Sequence, residues 1–152
     1  VDYLQVSFSI IRDYPQTQYS NLSIPTWLYG HEWTSPFATH IAKLFENSVR
    51  EDTLLTVAYG GIIYAPGRAG TIQEVFQEAV QNHYLTFGFA SPMVFLDTEF
   101  WSKTTPFYPL LVDLLEKGIY KNLLLSLTDD VEEVIRIIRD FQQKCSLSHI
   151  CQ

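Results

Sequence analysis

The stretch Gly61–Ala65 (GIIYA) constrains the fold of this chain more than any other. It is short, apolar and free of charge, Pro66–Gly70 breaks it, and a segment of helical period, Thr71–Asn82, follows at once. An uninterrupted apolar strand of this kind is expected where both faces of a parallel sheet are covered. Pro92–Leu96 and Asn122–Leu127 repeat the pattern. After them come an amphipathic helix over Pro109–Lys117, closed by Gly118, and a final helix that Asp129 or Asp130 caps and that runs to about Gln143. Ile72, Val75, Phe76 and Ala79 are expected to face inward from the first of these helices, and Val131, Val134, Ile135, Ile138 and Phe141 from the last. Strands alternating with helices of this length predict βαβ units, hence an α/β, Rossmann-like fold with a mainly parallel sheet.

Upstream, Gln5–Ile11 alternates β-branched and aromatic residues with polar ones and reads as a strand. Asp13–Leu22 is a polar, proline-containing loop, and Ile24–Tyr29 a second strand ending at Gly30. Pro36 suits the first turn of a helix whose inward positions are Phe37, Ile41, Leu44 and Phe45. Ser48–Ala58 is a further helix. With no internal repeat or linker, residues 1–152 are expected to form one domain with a disordered tail at 144–152.

Composition narrows the function. Hydrophobic residues reach 47% and charged ones only 18%, an apolar excess that suggests surface meeting a partner. A net charge of −7 argues against a general nucleic-acid binder, which needs basic surface to neutralise phosphates. No apolar run approaches the roughly 18–20 residues of a membrane helix, so no membrane partner is expected. The start, Val1-Asp2-Tyr3-Leu4, lacks the basic and apolar regions of a signal peptide. Two cysteines, Cys145 and Cys151, are too few for a disulfide framework or a cysteine-only metal site. Unpaired tail thiols in a reducing cytoplasm are the expectation.

In a parallel sheet, ligands bind beyond the carboxyl ends of the strands. Ala65-Pro66-Gly67-Arg68-Ala69-Gly70-Thr71 lies at such an end, ahead of a helix. Gly67 and Gly70 can take positive φ and let a ligand approach the backbone. The amides from about Ala69 to Ile72, with the helix dipole, suit a phosphate, and Thr71 can add a hydroxyl. A second reading stands beside this one. Thr71-x-x-Glu74 is also a capping box, and such a turn is about equally often purely structural.

The segment VREDTLLTVAYGGIIYAPGRAGTIQEVFQEA resembles the signature of the LOG (Lonely Guy) family, formerly described as lysine decarboxylase-like. The family pattern is an Arg-Lys pair followed, about fifteen residues on, by P-G-G-x-G-T-x-x-E. Arg50 takes the arginine position, and Pro66, Gly67, Gly70, Thr71 and Glu74 match the second block. SPMVFLD and DDVEEVIRII resemble the family's later strand and helix, so the likeness spans about Ile24 to Phe141. Glu51 stands where the lysine would be, Arg68 replaces the second glycine, and the gap between Arg50 and Pro66 is about one residue longer than in the family pattern. Nothing before Ile24 resembles the family's first strand and glycine-rich turns. The resemblance therefore implies the C-terminal part of a longer member, lacking the N-terminal βαβ portion.

The resemblance further implies a nucleotide phosphoribohydrolase, a hydrolase of the glycosidase type. It would cut the N-glycosidic bond of a nucleoside 5′-monophosphate to release base and ribose 5-phosphate. Gly67, Arg68, Ala69, Gly70 and Thr71 would hold the 5′-phosphate. Glu74 would stabilise oxocarbenium character on the ribose and orient a water, and Arg50 would bind substrate and keep Glu74 ionised. No cofactor and no metal are implied, and a homodimer is, with sites near its interface. Without the resemblance, Arg50 reads as a solvated residue paired with Glu46 or Asp52. A non-catalytic nucleotide or phosphate-ligand binding protein, or an incomplete fragment of such an enzyme, is the competing expectation.

Other groups carry less. His31, Glu32 and His40 lack the H-E-x-x-H spacing of a zinc site. Asn82-His83-Tyr84 could reach a base or cap its helix, and Trp27, Trp33 and Trp101 could stack on one, although large aromatics more often build cores. None of the five lysines sits in a pyridoxal phosphate setting, and neither a P-loop nor a G-x-G-x-x-G motif is present.

Overall fold

The structure, a computed structural model, describes residues 2–15, 19–27 and 34–148. The chain divides into two compact units, Val1–Leu54 and Leu55–Gln152. Trp33, His31 and Glu32 lie outside the described residues.

In the first unit, α1 (Tyr3–Asp13) occupies the segment whose alternation predicts a strand. Asp2 caps it by accepting the Leu4 N–H at 3.0 Å, and Ser7 and Ser9 turn their hydroxyls onto the carbonyls of Tyr3 and Val6. Its more buried positions, Leu4, Ser7 and Ile11, recur at helical spacing, whereas Val6, Phe8 and Ile10 point outward. The alternation thus records the solvent side of a helix.

The helix expected after Pro36 is also absent. Strand β1 (Leu22–Ser23) pairs in parallel with β2 (His40–Ile41), and a bridge joins Thr26 to Leu44. The amides of His40, Ala42 and Leu44 donate to the carbonyls of Asn21, Ser23 and Pro25 at 2.9–3.0 Å. Asn21 and Thr39 close the register: the Asn21 N–H reaches Thr39 Oγ1 at 2.7 Å, and the Thr39 N–H reaches Asn21 Oδ1 at 3.0 Å. Backbone pairing across the unit outweighs a helical pattern whose apolar members, Ile41 and Phe45, remain exposed. Helix α2 (Asn47–Val57) forms as expected and crosses the division between the units.

The second unit carries the predicted α/β architecture. Strands β3 (Ile62–Tyr64), β4 (Pro92–Leu96) and β5 (Leu124–Thr128) form a parallel sheet in the order β3-β4-β5. Its register pairs Tyr64 with Phe95, and Phe95 with Leu127. Helices α3 (Ala69–Tyr84), α4 (Phe107–Glu116) and α5 (Val131–Ser148) accompany them, with a π-helical turn at Phe100–Thr104. Gly118 takes φ +69° after α4, and Asp130 accepts the Glu132 N–H at the start of α5. Helix α5 continues past Gln143 to Ser148, so residues 144–148 of the expected disordered tail are helical.

Strand β4 is the central one, with Pro92–Phe95 all buried. Strand β3 departs from expectation. Tyr64 is buried but Ile63 is half exposed, because among the described strands β3 is an edge and only one of its faces is covered. Tyr64, Val75, Ala79, Met93, Phe95, Trp101, Leu111 and Leu123 form the core, which sits against that face.

Candidate functional site

Helix α3 starts at the carboxyl end of β3, where the sequence places the phosphate corner. Its first residue is Ala69, so Gly70 and Thr71 lie inside the first turn. The helical ladder opens with the Ile72 N–H on the Arg68 carbonyl at 3.1 Å. The amides of Ala69, Gly70 and Thr71 precede that bond and stand at the positive end of a 16-residue helix.

The two glycines work differently from expectation. Neither Gly67 nor Gly70 takes positive φ. A Cβ on Gly67 would lie 2.1 Å from Thr71 Oγ1 and 2.6 Å from Thr71 Cβ, so this glycine makes room for the threonine side chain. Among the described residues, nothing outside the helix's own backbone lies within 4 Å of a would-be Cβ on Gly70, which leaves that side of the first turn open. We therefore expect opposite outcomes for two alanine substitutions. Gly67→Ala lowers stability by about 1–3 kcal/mol through overpacking. Gly70→Ala raises it by about 0.5–1 kcal/mol through helix propensity. Thermal unfolding of both variants checks this, and a destabilised Gly70→Ala would show that the first turn is more crowded than described.

Arg68 is the helix N-cap, with extended φ −119°, ψ −155° and no side-chain cap bond. Any residue adopts that backbone, so arginine at this position strains nothing, and its exposed cation stands at the anion-favouring end of α3. Thr71 is the third helical residue and not the cap, so the capping box does not frame the helix start. Glu74 lies one turn further on and is half-buried.

The neighbouring strand ends form the rest of this edge of the sheet. Asp97 follows β4 with φ +90°, rare for a residue other than glycine, and accepts the Phe100 N–H at 2.9 Å. Thr98 donates its N–H and hydroxyl to the two oxygens of Asp129 at 2.7 and 2.6 Å. Those two bonds hold the Asp129 carboxyl below the usual aspartate range.

Arg50 belongs to the first unit and is not solvated as an isolated surface charge would be. Its guanidinium donates to Asn47 Oδ1 at 2.9 Å and lies 3.8 Å from the carboxylate of Glu51. Glu51 is fully buried and accepts the Asn47 amide at 2.6 Å. The other candidates lie elsewhere in the fold. Trp101 is fully buried, with its indole N–H on the Tyr64 carbonyl at 3.0 Å. Trp27 stacks on Phe45 beneath the Lys43 ammonium. His83 sits at the far end of α3 from the corner, where its Nδ1 accepts the Lys121 N–H at 3.0 Å. Among the described residues, no three His, Cys, Asp or Glu side chains are grouped to hold a metal, and no helix is long and apolar enough to cross a membrane. Cys145 is disulfide-bonded and so is not the unpaired thiol expected, which removes it as a ground for a reducing setting; Cys151 lies outside the described residues.

Sequence reading missed a buried polar group behind the corner. Glu78, one turn beyond Glu74, is 4% exposed and accepts the Ser91 hydroxyl at 2.5 Å. Asn82 fixes Ser91 on both sides, donating to its carbonyl at 3.0 Å and accepting its N–H at 2.8 Å. Tyr64, 2% exposed, has a hydroxyl with no hydrogen-bond partner. The available signal was a glutamate and an asparagine inside the buried stripe Val75, Glu78, Ala79 and Asn82.

Burial raises the Glu78 carboxyl above the usual glutamate range, with the Ser91 hydroxyl pulling the other way. Its neutral form therefore favours the fold below the unfolded pKa, and this contribution is lost as pH rises through the folded value. Glu78→Gln keeps an acceptor for Ser91 without a charge. We expect its melting temperature to gain on wild type between about pH 4 and pH 7. An unchanged difference across that range would mean that Glu78 is not penalised by burial.

Compared with known proteins, the chain matches no protein-family model and no curated sequence.

Proposed function

We propose that the corner from Pro66 to Thr71 binds the 5′-phosphate of a nucleoside monophosphate and that the protein is a phosphoribohydrolase of the LOG type. The observation that carries this reading is the open first turn of α3. The amides of Ala69–Thr71, in the first turn of α3, follow a strand's carboxyl end with the Arg68 cation beside them, and Glu74 is one turn away. The phosphate docks on those amides and places the ribose over Glu74. The Glu74 carboxylate stabilises the oxocarbenium character that grows as the glycosidic bond breaks, and orients the attacking water. On this reading the active species is a homodimer.

Incubation with purine and pyrimidine monophosphates, followed by assay of ribose 5-phosphate, tests the reaction directly. Calorimetry on the same nucleotides separates the alternative: tight binding without turnover identifies a non-catalytic nucleotide binder, and neither binding nor turnover rejects the corner as a site. Gly70→Ala is the corresponding probe of the first turn. A methyl group over the amides should weaken phosphate binding about tenfold or more even though it stabilises the helix. Undiminished affinity would place the phosphate elsewhere.

A further inference from the structure

Glu78 and its partners tie the later turns of α3 to the residue before β4, away from the corner. The Glu78 side chain is 4% exposed and accepts the hydroxyl of Ser91. Among the described residues no ion pair reaches it. From the surrounding elements, β3 offers the Tyr64 phenol, which feels the Glu78 and Glu74 charges, β4 is preceded by Ser91, and α5 meets the connection through the uncharged ring of Phe141. Its own helix carries Glu74 one turn earlier. None of these is a cation. A carboxylate sealed among such groups loses its water shell, and one hydroxyl does not replace that shell. The neutral acid is the form this packing fits, in keeping with the rise that burial gives the group.

What the carboxyl helps to hold is the connection from α3 to β4. The helix ends at Leu85 with φ +51°, the Thr86 N–H reaches back to the Gln81 carbonyl at 3.0 Å, and Gly88 turns at φ +84°. Residues 84–88 are exposed. Beyond them the chain is fastened at Phe89, whose ring lies 6.1 Å from that of Phe141, and at Ser91. Asn82 grips the Ser91 backbone from both sides, and Glu78 takes its hydroxyl.

We propose that Glu78 is a pH-sensitive latch on this connection. With the carboxyl neutral, its bond to Ser91 keeps residues 85–91 folded against the helix. When the proton leaves to solvent, the carboxylate turns out to water, the bond breaks and the connection opens while the sheet stays folded. The open connection carries an ordinary glutamate and the closed one a glutamate raised by burial. The latch is therefore shut most firmly below about pH 4, and opening gains about tenfold per pH unit above that until the closed form ionises too. No nucleotide takes part, so the latch stands or falls independently of the hydrolase reading.

Amide exchange followed by NMR on the full chain, from about pH 4.5 to about pH 7.5 and with each rate divided by that of an unstructured chain, tests it. The probes are the Ser91 N–H, held by Asn82 Oδ1, and the Val94 N–H in the fully buried part of β4 as a reference. In the wild type, Ser91 should be less protected than Val94, insensitive to low urea, and should lose about tenfold in protection per pH unit at the start of the range. In Glu78→Gln, which stays uncharged, Ser91 protection should not vary with pH. A variant that keeps the pH dependence would assign it to another group and overturn the latch. Wild-type protection that is flat across the range would overturn it as well. So would a Ser91 amide that shares the protection and urea dependence of Val94, because Glu78 would then be released only by global unfolding. The last two results come from the wild type alone and decide the matter even if Glu78→Gln does not fold.

Discussion

Glu74→Gln will reduce release of ribose 5-phosphate by roughly a hundredfold or more while leaving nucleotide affinity within a few-fold of wild type. The size follows from what the carboxylate is asked to do: a positioned acid–base group contributes about 10²–10⁴ in rate, and glutamine keeps the shape without the charge that an oxocarbenium-like centre requires. On the proposed reading the affinity should survive, because the phosphate would be held by main-chain amides at Ala69–Thr71, which the substitution does not touch. Steady-state kinetics together with calorimetry separate the two quantities. A variant that retains more than about a third of wild-type kcat would remove Glu74 from the chemistry.

The second large effect concerns the scaffold. Trp101→Ala should destabilise the second unit by about 3–5 kcal/mol, a sizeable part of the 5–15 kcal/mol that holds a domain folded. Trp101 is fully buried in the π-helical turn after β4, packs edge-on against Phe95 at 5.2 Å, and donates its indole N–H to the Tyr64 carbonyl. The substitution thus opens a cavity and frees the end of β3 that launches the corner. Urea unfolding followed by circular dichroism measures the loss. A cost below about 1 kcal/mol would mean that neighbouring side chains refill the space.

How much of this was legible depends on which physical signal each element obeys. The three strands of the second unit and the helices after them follow directly from short uncharged runs and helical periodicity, because there the pattern and the packing agree. The first unit defeated the same rules. In α1 the alternating residues are those facing water, and between Pro36 and Phe45 the backbone pairs with residues 21–25 through bonds that no local pattern encodes. At the corner, the glycines marked the turn between β3 and α3, but the reasons for them could not be read from the sequence. Gly67 is required by the bulk of Thr71, and Gly70 is the position that opens the turn. The Glu78–Ser91–Asn82 group joins residues 9 to 13 positions apart through a helix end and a strand start, and only the fold brings them together.

The strand order of the second unit has a further consequence, for the way the chain reaches its native state. Each strand pairs with the next one in sequence, at a separation of roughly thirty residues, so no pairing waits for a distant segment to return. The β3–α3–β4 portion can close on itself first, and β5 then adds to a template already in place. During synthesis, the loop that precedes α3 would accordingly be set in its final shape while the last helix is still emerging.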